Sequence, residues 1–443
     1  MKKKMVALVI MATMVASAVL IGCNGASEDT GNDATTEAPA DTADDGADDT
    51  AGDGEAINLT FWGLSEQADG KEEVIASFIE QHPNVTIEWS GHSNETLHQN
   101  LQISAVNDTL PSIWFMWGGA LGGRYVQYGV SRDLTDFANA NNWDNKFTPA
   151  SLELATLHGE LAGYPRVVNI LAVYYNREIF ADLSLDIPTD MGEFLNVVET
   201  IQAAGITPLN SASIPGWHIM RYWEQLLEHY AGAELHDQLQ ILEADWEGNE
   251  AVINSFATFQ EYADAGFFPD GVLSMEAADL VMLLYPGEAA MQIEGPWFDN
   301  SILSDDQDLD RFGVFAFPNG GSNRLSAFGE MFMFNDNLSD AELEMAVAFL
   351  DYMFERAEDF PGLVGRPIPQ IGKDYIPAEL TNVPQIFEMG SANGVFTISD
   401  QALPPIVVDE LFNLLDYLVL GTTTPEEAAA SMQRAWERHL AED

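Results

Sequence analysis

Residues Leu161 to Asn176 read Leu-Ala-Gly-Tyr-Pro-Arg-Val-Val-Asn-Ile-Leu-Ala-Val-Tyr-Tyr-Asn. Gly163 and Pro165 punctuate the start, and Val167 to Tyr175 is a near-continuous β-favouring run, the pattern of a strand buried on both faces. Such a strand belongs inside an α/β sheet, here at a crossing between two lobes.

Upstream, Ile57, Leu59 and Phe61 alternate with polar residues, Val74, Ile75, Phe78 and Ile79 recur at helical spacing, and Val85, Ile87 and Trp89 alternate again. Strand, helix, strand is a βαβ opening on a parallel sheet, and ligands of such sheets lie at strand C-terminal ends. Trp62 and Glu66, in the first loop after a strand, therefore point to a candidate site. Leu97 to Val106 reads as a helix and Ile113 to Trp117 as a buried strand, with Trp114 in the core. Gly118 and Gly119 follow and would let a backbone or a flat ligand approach closely.

Downstream, a helix is predicted from about Asp190, with Phe194, Leu195, Val198 and Ile201 on its apolar face and Gly205 at its end. Leu209 to Trp217 reads as a Ser-, Pro- and Gly-rich loop, and Tyr222 to Tyr230 and Ile253 to Ala265 as helices. Phe312 to Phe317 is a short strand returning to the first lobe, where Phe328 to Phe334 adds another. Ser339 with Glu342, and Thr424 with Glu427, are spaced as capping boxes, the second with Pro425 at the first helical position.

The length of 443 residues is too great for one ordinary core and suits two lobes. Lys2 to Lys4 precede an apolar run from Met5 to Ile21, the charged and hydrophobic parts of a secretory signal peptide over residues 1–22. Leu20-Ile21-Gly22-Cys23 resembles a bacterial lipobox, which implies cleavage before Cys23 and lipid anchoring at that residue. Residues 23–56, rich in Ala, Asp, Glu, Gly and Thr, cannot bury a core and are expected to be a disordered acidic tether. The formal net charge of −54 argues against nucleic acid or acidic polymers as partners. With a single cysteine, Cys23, the exported chain has no internal disulfide.

No Gly-x-Ser-x-Gly elbow, phosphate loop ending Gly-Lys-Ser/Thr, or His-Glu-x-x-His helix is present, and the eight histidines do not cluster at ligand spacing. No metal site and no cofactor is expected. A glycoside hydrolase needs only two suitably separated carboxylates, so it stays open as an alternative. Aromatic residues beside polar ones at loop positions suit sugars instead: a pyranose face stacks on an indole while its hydroxyls meet Asp, Glu and Asn.

Gly163-Tyr164-Pro165 with Tyr174-Tyr175-Asn176, and Glu288-Ala-Ala-Met-Gln-Ile-Glu-Gly-Pro-Trp297, resemble the family 1 extracellular solute-binding proteins of ABC importers, which bind carbohydrates. The resemblance runs from about Ile57 to Leu440. It implies an α/β, two-lobed periplasmic-binding-protein type II (Venus-flytrap) fold with three hinge crossings. The first lobe would hold 57–165 and about 313–355, the second about 166–312 and 356–443. It further implies no enzyme but a monomeric extracytoplasmic lipoprotein, capturing a neutral sugar or oligosaccharide in the interlobe cleft for membrane permease subunits. A non-sugar solute is the alternative within the class.

By the same resemblance Trp297 stacks on ligand, Glu66 and Asn169 meet sugar hydroxyls, and Glu330 lies near the cleft. Trp217, in a Pro-Gly loop, is open between ligand stacking and core packing; Trp62 and Trp117 belong to the cleft floor; Tyr164 either stacks or packs the hinge. Ser112 stands where many relatives carry an aspartate.

Overall fold

The computed structural model describes residues 55–65, 70–320, 322–356, 368–373 and 376–442. The signal-peptide, lipobox and tether expectations, Cys23 and Glu66 lie outside them. In chain order the strands are β1 Ile57–Leu64, β2 Val85–His92, β3 Ile113–Trp117, β4 Thr156–Leu157, β5 Glu160–Leu161, β6 Gly163–Ile170, β7 Ala172–Asn176, β8 Thr207–Leu209, β9 Ala289–Glu294, β10 Phe312–Phe315, β11 Leu325–Phe334 and β12 Val395–Thr397. They make two main sheets, one ordered β12-β11-β3-β1-β2 with β6 on β11, the other β10-β7-β9-β8.

The βαβ opening forms as its alternation dictates: β1 pairs parallel with β2 and β3, with Leu59 and Phe61 essentially buried. Ser112 stitches β1 to β3, its backbone N–H donating to Thr60 Oγ1 at 2.9 Å while its Oγ accepts from Thr60 N–H at 3.1 Å. Phe61, Phe115, Phe332 and Phe349 meet edge to face in this lobe's core. A second core gathers Trp223, Phe256, Met291, Leu411 and Met432 around the other sheet.

The stretch Leu161–Asn176 divides where its periodicity gives no sign. β6 lies antiparallel to β11, β7 lies antiparallel to β9 and β10, and Leu171 between them donates its N–H to Ser326 O at 2.8 Å. Val167–Ile170, expected on the second lobe's side, thus pair in the first sheet, because β11 offers them an edge. Beyond residue 356 the described chain touches both sheets, with Ile386 packed against Leu284 and Phe298. Ile368 packs in the first core and β12 pairs with β11 before the helices Pro405–Val419 and Pro425–Glu442 join the second core.

Local signals hold where the partner is local. Ser339 and Glu342 form a reciprocal capping box on the helix Asp340–Glu355. Thr424 Oγ1 accepts from Glu427 N–H at 3.2 Å, but the Glu427 carboxylate turns to Arg434 at 2.9 Å, so only half of that box forms. On the helix Met191–Ala203, Val197 faces inward and Leu195 stays 37 % exposed, because the buried stripe follows 194, 197, 198 and 201. The loop expected over Leu209–Trp217 holds the end of β8, and the helix expected from Tyr222 already begins at Trp217 and runs to Gln240, with a non-helical Gly232 inside. Among the described residues no helix is long and apolar enough to cross a membrane.

Candidate functional site

One face of β11 leads from the first core towards the second sheet. Phe332 is core; Glu330, two residues nearer the crossing, lies opposite Trp117 of β3; Phe328 lies opposite Asn169 of β6. The pairing slips between Glu330 and Met331, so Arg166 is an extra residue in a β-bulge. Its guanidinium is thereby turned onto Glu330 and towards the Phe115 ring, 5.7 Å away. Asn169 donates its Nδ2 to the other Glu330 oxygen at 2.9 Å. Arg166, Asn169 and Glu330 are all buried.

Phe328 closes this face against Trp297, their rings 5.7 Å apart. Trp297 opens the helix Trp297–Ser304, and its indole folds back over Gly295, where a Cβ would lie 2.0 Å from the ring. The glycine of the Gly-Pro-Trp turn is thus required by the ring two residues later.

Behind Trp297 lies a buried polar network. Arg221 donates its Nη1 to Ile293 O at 2.8 Å and to Glu294 Oε2 at 2.9 Å. Gln292 Nε2 donates to Glu294 Oε1 at 2.9 Å, and His218 Nε2 lies 3.2 Å from the same oxygen. Burial alone would raise the Glu294 pKa, but the Arg221 charge and these donors outweigh it and hold the carboxyl down to about 2. Burial lowers the His218 pKa, so the ring is neutral: Nε2–H donates to Glu294 and Nδ1 accepts from Ser211, 3.1 Å away. The Ser211–His218–Glu294 order copies a hydrolase relay, but Ser211 and His218 have no exposed surface, so no substrate reaches the hydroxyl.

The Arg221 guanidinium also lies 4.5 Å from the Trp217 ring and 5.5 Å from that of Trp297. Both indoles stay half-buried, as do Trp62 and Trp117. Trp117 packs against both cores and has His98 stacked 4.8 Å away at 13°. Burial, with the nearby Arg124 charge, lowers the His98 pKa to about 4, so this is a neutral ring on an indole face. Trp62 pairs with Trp114 in the β1–β3 register, packs only on the first core, and has His92 5.2 Å away.

The structure thus brings Trp217, Trp297 and Arg221 together, and sets Glu330 opposite Trp117 with Asn169 bonded to its carboxylate. It removes Tyr164 from the site. That ring has no exposed surface, sits among Trp143, Phe147 and Phe354, and donates its hydroxyl to Asp351 at 2.6 Å. Tyr164 lies on β6 at the far end from Asn169, opposite Phe332 in the middle of the first core. The double glycine is also resolved: Gly118 and Gly119 face the short helix Ser399–Ala402, whose Gln401 backbone fills the space a flat ligand would need.

Sequence reasoning missed Arg221, His218, Gln292 and Glu294. Because the expected helix began at Tyr222, Trp217 and Arg221 did not read as an i, i+4 pair, and their link to Glu294 crosses more than seventy positions of chain. Among the described residues no group of three His, Cys, Asp or Glu is placed to hold a metal.

Comparisons with known proteins bear on the family and the fold. Residues 63–359 match the family described as bacterial extracellular solute-binding protein. An uncharacterized ABC transporter extracellular-binding protein of Pyrococcus horikoshii is 26% identical over 321 residues, 71% of this chain and 70% of its own. The galactooligosaccharide-binding protein of Bacillus subtilis is 21% identical over 281 residues, 61% of this chain and 62% of its own. A solved chitin oligosaccharide binding protein superposes with a TM-score of 0.76 at 25% identity, covering 87% of this chain and 99% of its own.

Proposed function

Since the chain belongs to the bacterial extracellular solute-binding proteins, we propose that it is the substrate-binding lipoprotein of an ABC importer, taking a neutral sugar or oligosaccharide between its lobes. One observation carries the choice of sugar. Trp217 and Trp297, both half-buried, flank one guanidinium beside a buried carboxylate, and Trp297 reaches across to Phe328 of the other sheet. Stacking faces backed by fixed polar groups match a pyranose, which is apolar on its faces and polar at its rim.

The ligand would meet Trp217 and Trp297 from the second lobe, and Trp117, Trp62, Asn169 and Glu330 from the first, with Glu66 as a further contact. Binding both lobes favours closure only through contacts the open form lacks. The passages at Leu171, between β10 and β11, and after β12 would be the three hinge crossings. The chain would then act as a monomer, tethered to the membrane through lipid on Cys23, and pass its cargo to permease subunits.

The protein would do no chemistry on its cargo. A glycosidase needs one carboxyl with a raised pKa as acid. Of the carboxylates beside the tryptophans, Glu294 is instead held low by Arg221 and Glu330 is ion-paired with Arg166, while Glu224, whose carboxyl is raised, has no exposed surface.

Calorimetry of the purified protein and its Trp297→Ala variant against chitotriose, galactotriose and raffinose tests the reading. A hit should weaken at least about tenfold, ~1.4 kcal/mol, in the variant. Binding of peptides or phosphates but no saccharide sinks the substrate class.

A further inference from the structure

We propose that Arg221 is a positioning residue for sugar binding, its guanidinium holding the planes of Trp217 and Trp297 so that the two indoles act as one stacking wall. The inference rests on the reading of those tryptophans as the sugar-stacking pair. The two rings belong to different elements, the helices Trp217–Gln240 and Trp297–Ser304, and each is free to turn about two side-chain bonds. Arg221 touches both, at 4.5 and 5.5 Å. It stands one helical turn after Trp217, where an i, i+4 pair meets face on. A planar guanidinium prefers to lie over an indole face, by charge against the ring quadrupole and by stacking. An indole so capped keeps its other face for a ligand.

The guanidinium is itself fixed. Nη1 is shared between Ile293 O and Glu294 Oε2, and the other Glu294 oxygen is engaged by Gln292 and His218. Its side chain is only 4 % exposed, so it acts through the rings it orients and not by reaching a sugar hydroxyl. Balancing the Glu294 charge needs a cation but no planar group, so the use of an arginine here is explained by the two rings its plane lies over.

The test separates positioning from charge balance. Arg221→Lys keeps a cation for Glu294 and loses the plane. Near-ultraviolet circular dichroism of the tryptophans and calorimetry with chitotriose, galactotriose and raffinose are measured for the wild type, Arg221→Lys, Trp217→Ala and the double variant. The expected result is altered tryptophan bands in Arg221→Lys, about a tenfold loss of affinity for the bound saccharide, and a loss of less than about threefold when Trp217 is already alanine. Equal losses in both backgrounds, or wild-type bands and affinity, overturn the proposal. If no saccharide binds the wild type, the sugar reading fails on its own, and unchanged tryptophan bands in Arg221→Lys still overturn the positioning role. Should Arg221→Lys fail to fold, the charge-neutral Arg221→Gln/Glu294→Gln pair carries the same comparison.

Discussion

The carbonyl oxygen of Gln401 lies so near Gly119 that a Cβ there would sit 1.8 Å from it. Gly119 also has φ +61°, a conformation that costs any L side chain. The short helix Ser399–Ala402 carrying Gln401 is held from the other side by Glu224, whose Oε2 accepts from Ser399 N–H at 3.0 Å. It therefore joins the end of β3 to the long helix of the second core, so neither side can yield cheaply.

Gly119→Ala should consequently displace Ser399–Ala402 or destabilise the fold by about 2 kcal/mol or more, the range of overpacked sites with added backbone strain. Urea unfolding of the variant checks this; a wild-type midpoint would show that the contact gives way freely.

Glu224 → Gln tests the same joint through pH. Burial, opposed by Ser399 N–H and reinforced by the Asp400 charge, raises the Glu224 pKa to about 8. In the unfolded chain the group ionises near 4.3. Between those values the folded state holds a proton the unfolded state has released, so stability falls as pH rises, by at most about 1.4 kcal/mol per pH unit, and levels off above about 8. The glutamine variant should match the wild type near pH 4 and exceed it at pH 8. Parallel stability curves would show that Glu224 does not titrate in this window.

Glu294 runs the opposite way. Its folded pKa is depressed, so its contribution is present above the unfolded value and is lost as pH falls from about 4 towards 2. Glu294→Gln leaves the Arg221 charge buried without its carboxylate and should cost roughly 3–5 kcal/mol at neutral pH, shrinking towards pH 2. Denaturant melts at pH 7 and pH 3 measure it, and a pH-independent difference would refute the assignment.

Tyr164→Phe removes the bond to Asp351 and leaves Gln370 Nε2 without the hydroxyl it donates to. About 1–2 kcal/mol of stability should be lost, with saccharide affinity unchanged. A selective loss of binding would return Tyr164 to the site.

How much of this was legible depends on the reach of each interaction. Alternation in Ile57–Phe61 and the Ser339–Glu342 box are set by neighbours within a few positions, and both took the predicted form. The α/β reading followed from such local signals taken in order, and the two lobes from the chain's length and the resemblance. The sequence by itself also singled out Trp62, Trp117, Trp217 and Trp297, and the structure leaves these four half-buried.

Tertiary structure alone decided which of them work together. Tyr164 and Asn169 lie on one strand and share a face, yet the first is sealed in the core and the second sits beside Glu330, because the cover on that face changes along β11. The bulge that turns Arg166 onto Glu330 depends on a register with a strand more than 160 positions away. In the sequence Arg221 is one of seventeen Lys and Arg residues and lies just before the expected helix. Its place between Trp217, Trp297 and Glu294 arises only when the fold brings Glu294 and Trp297 against it, since burying a charge demands a partner and only the packed chain supplies one.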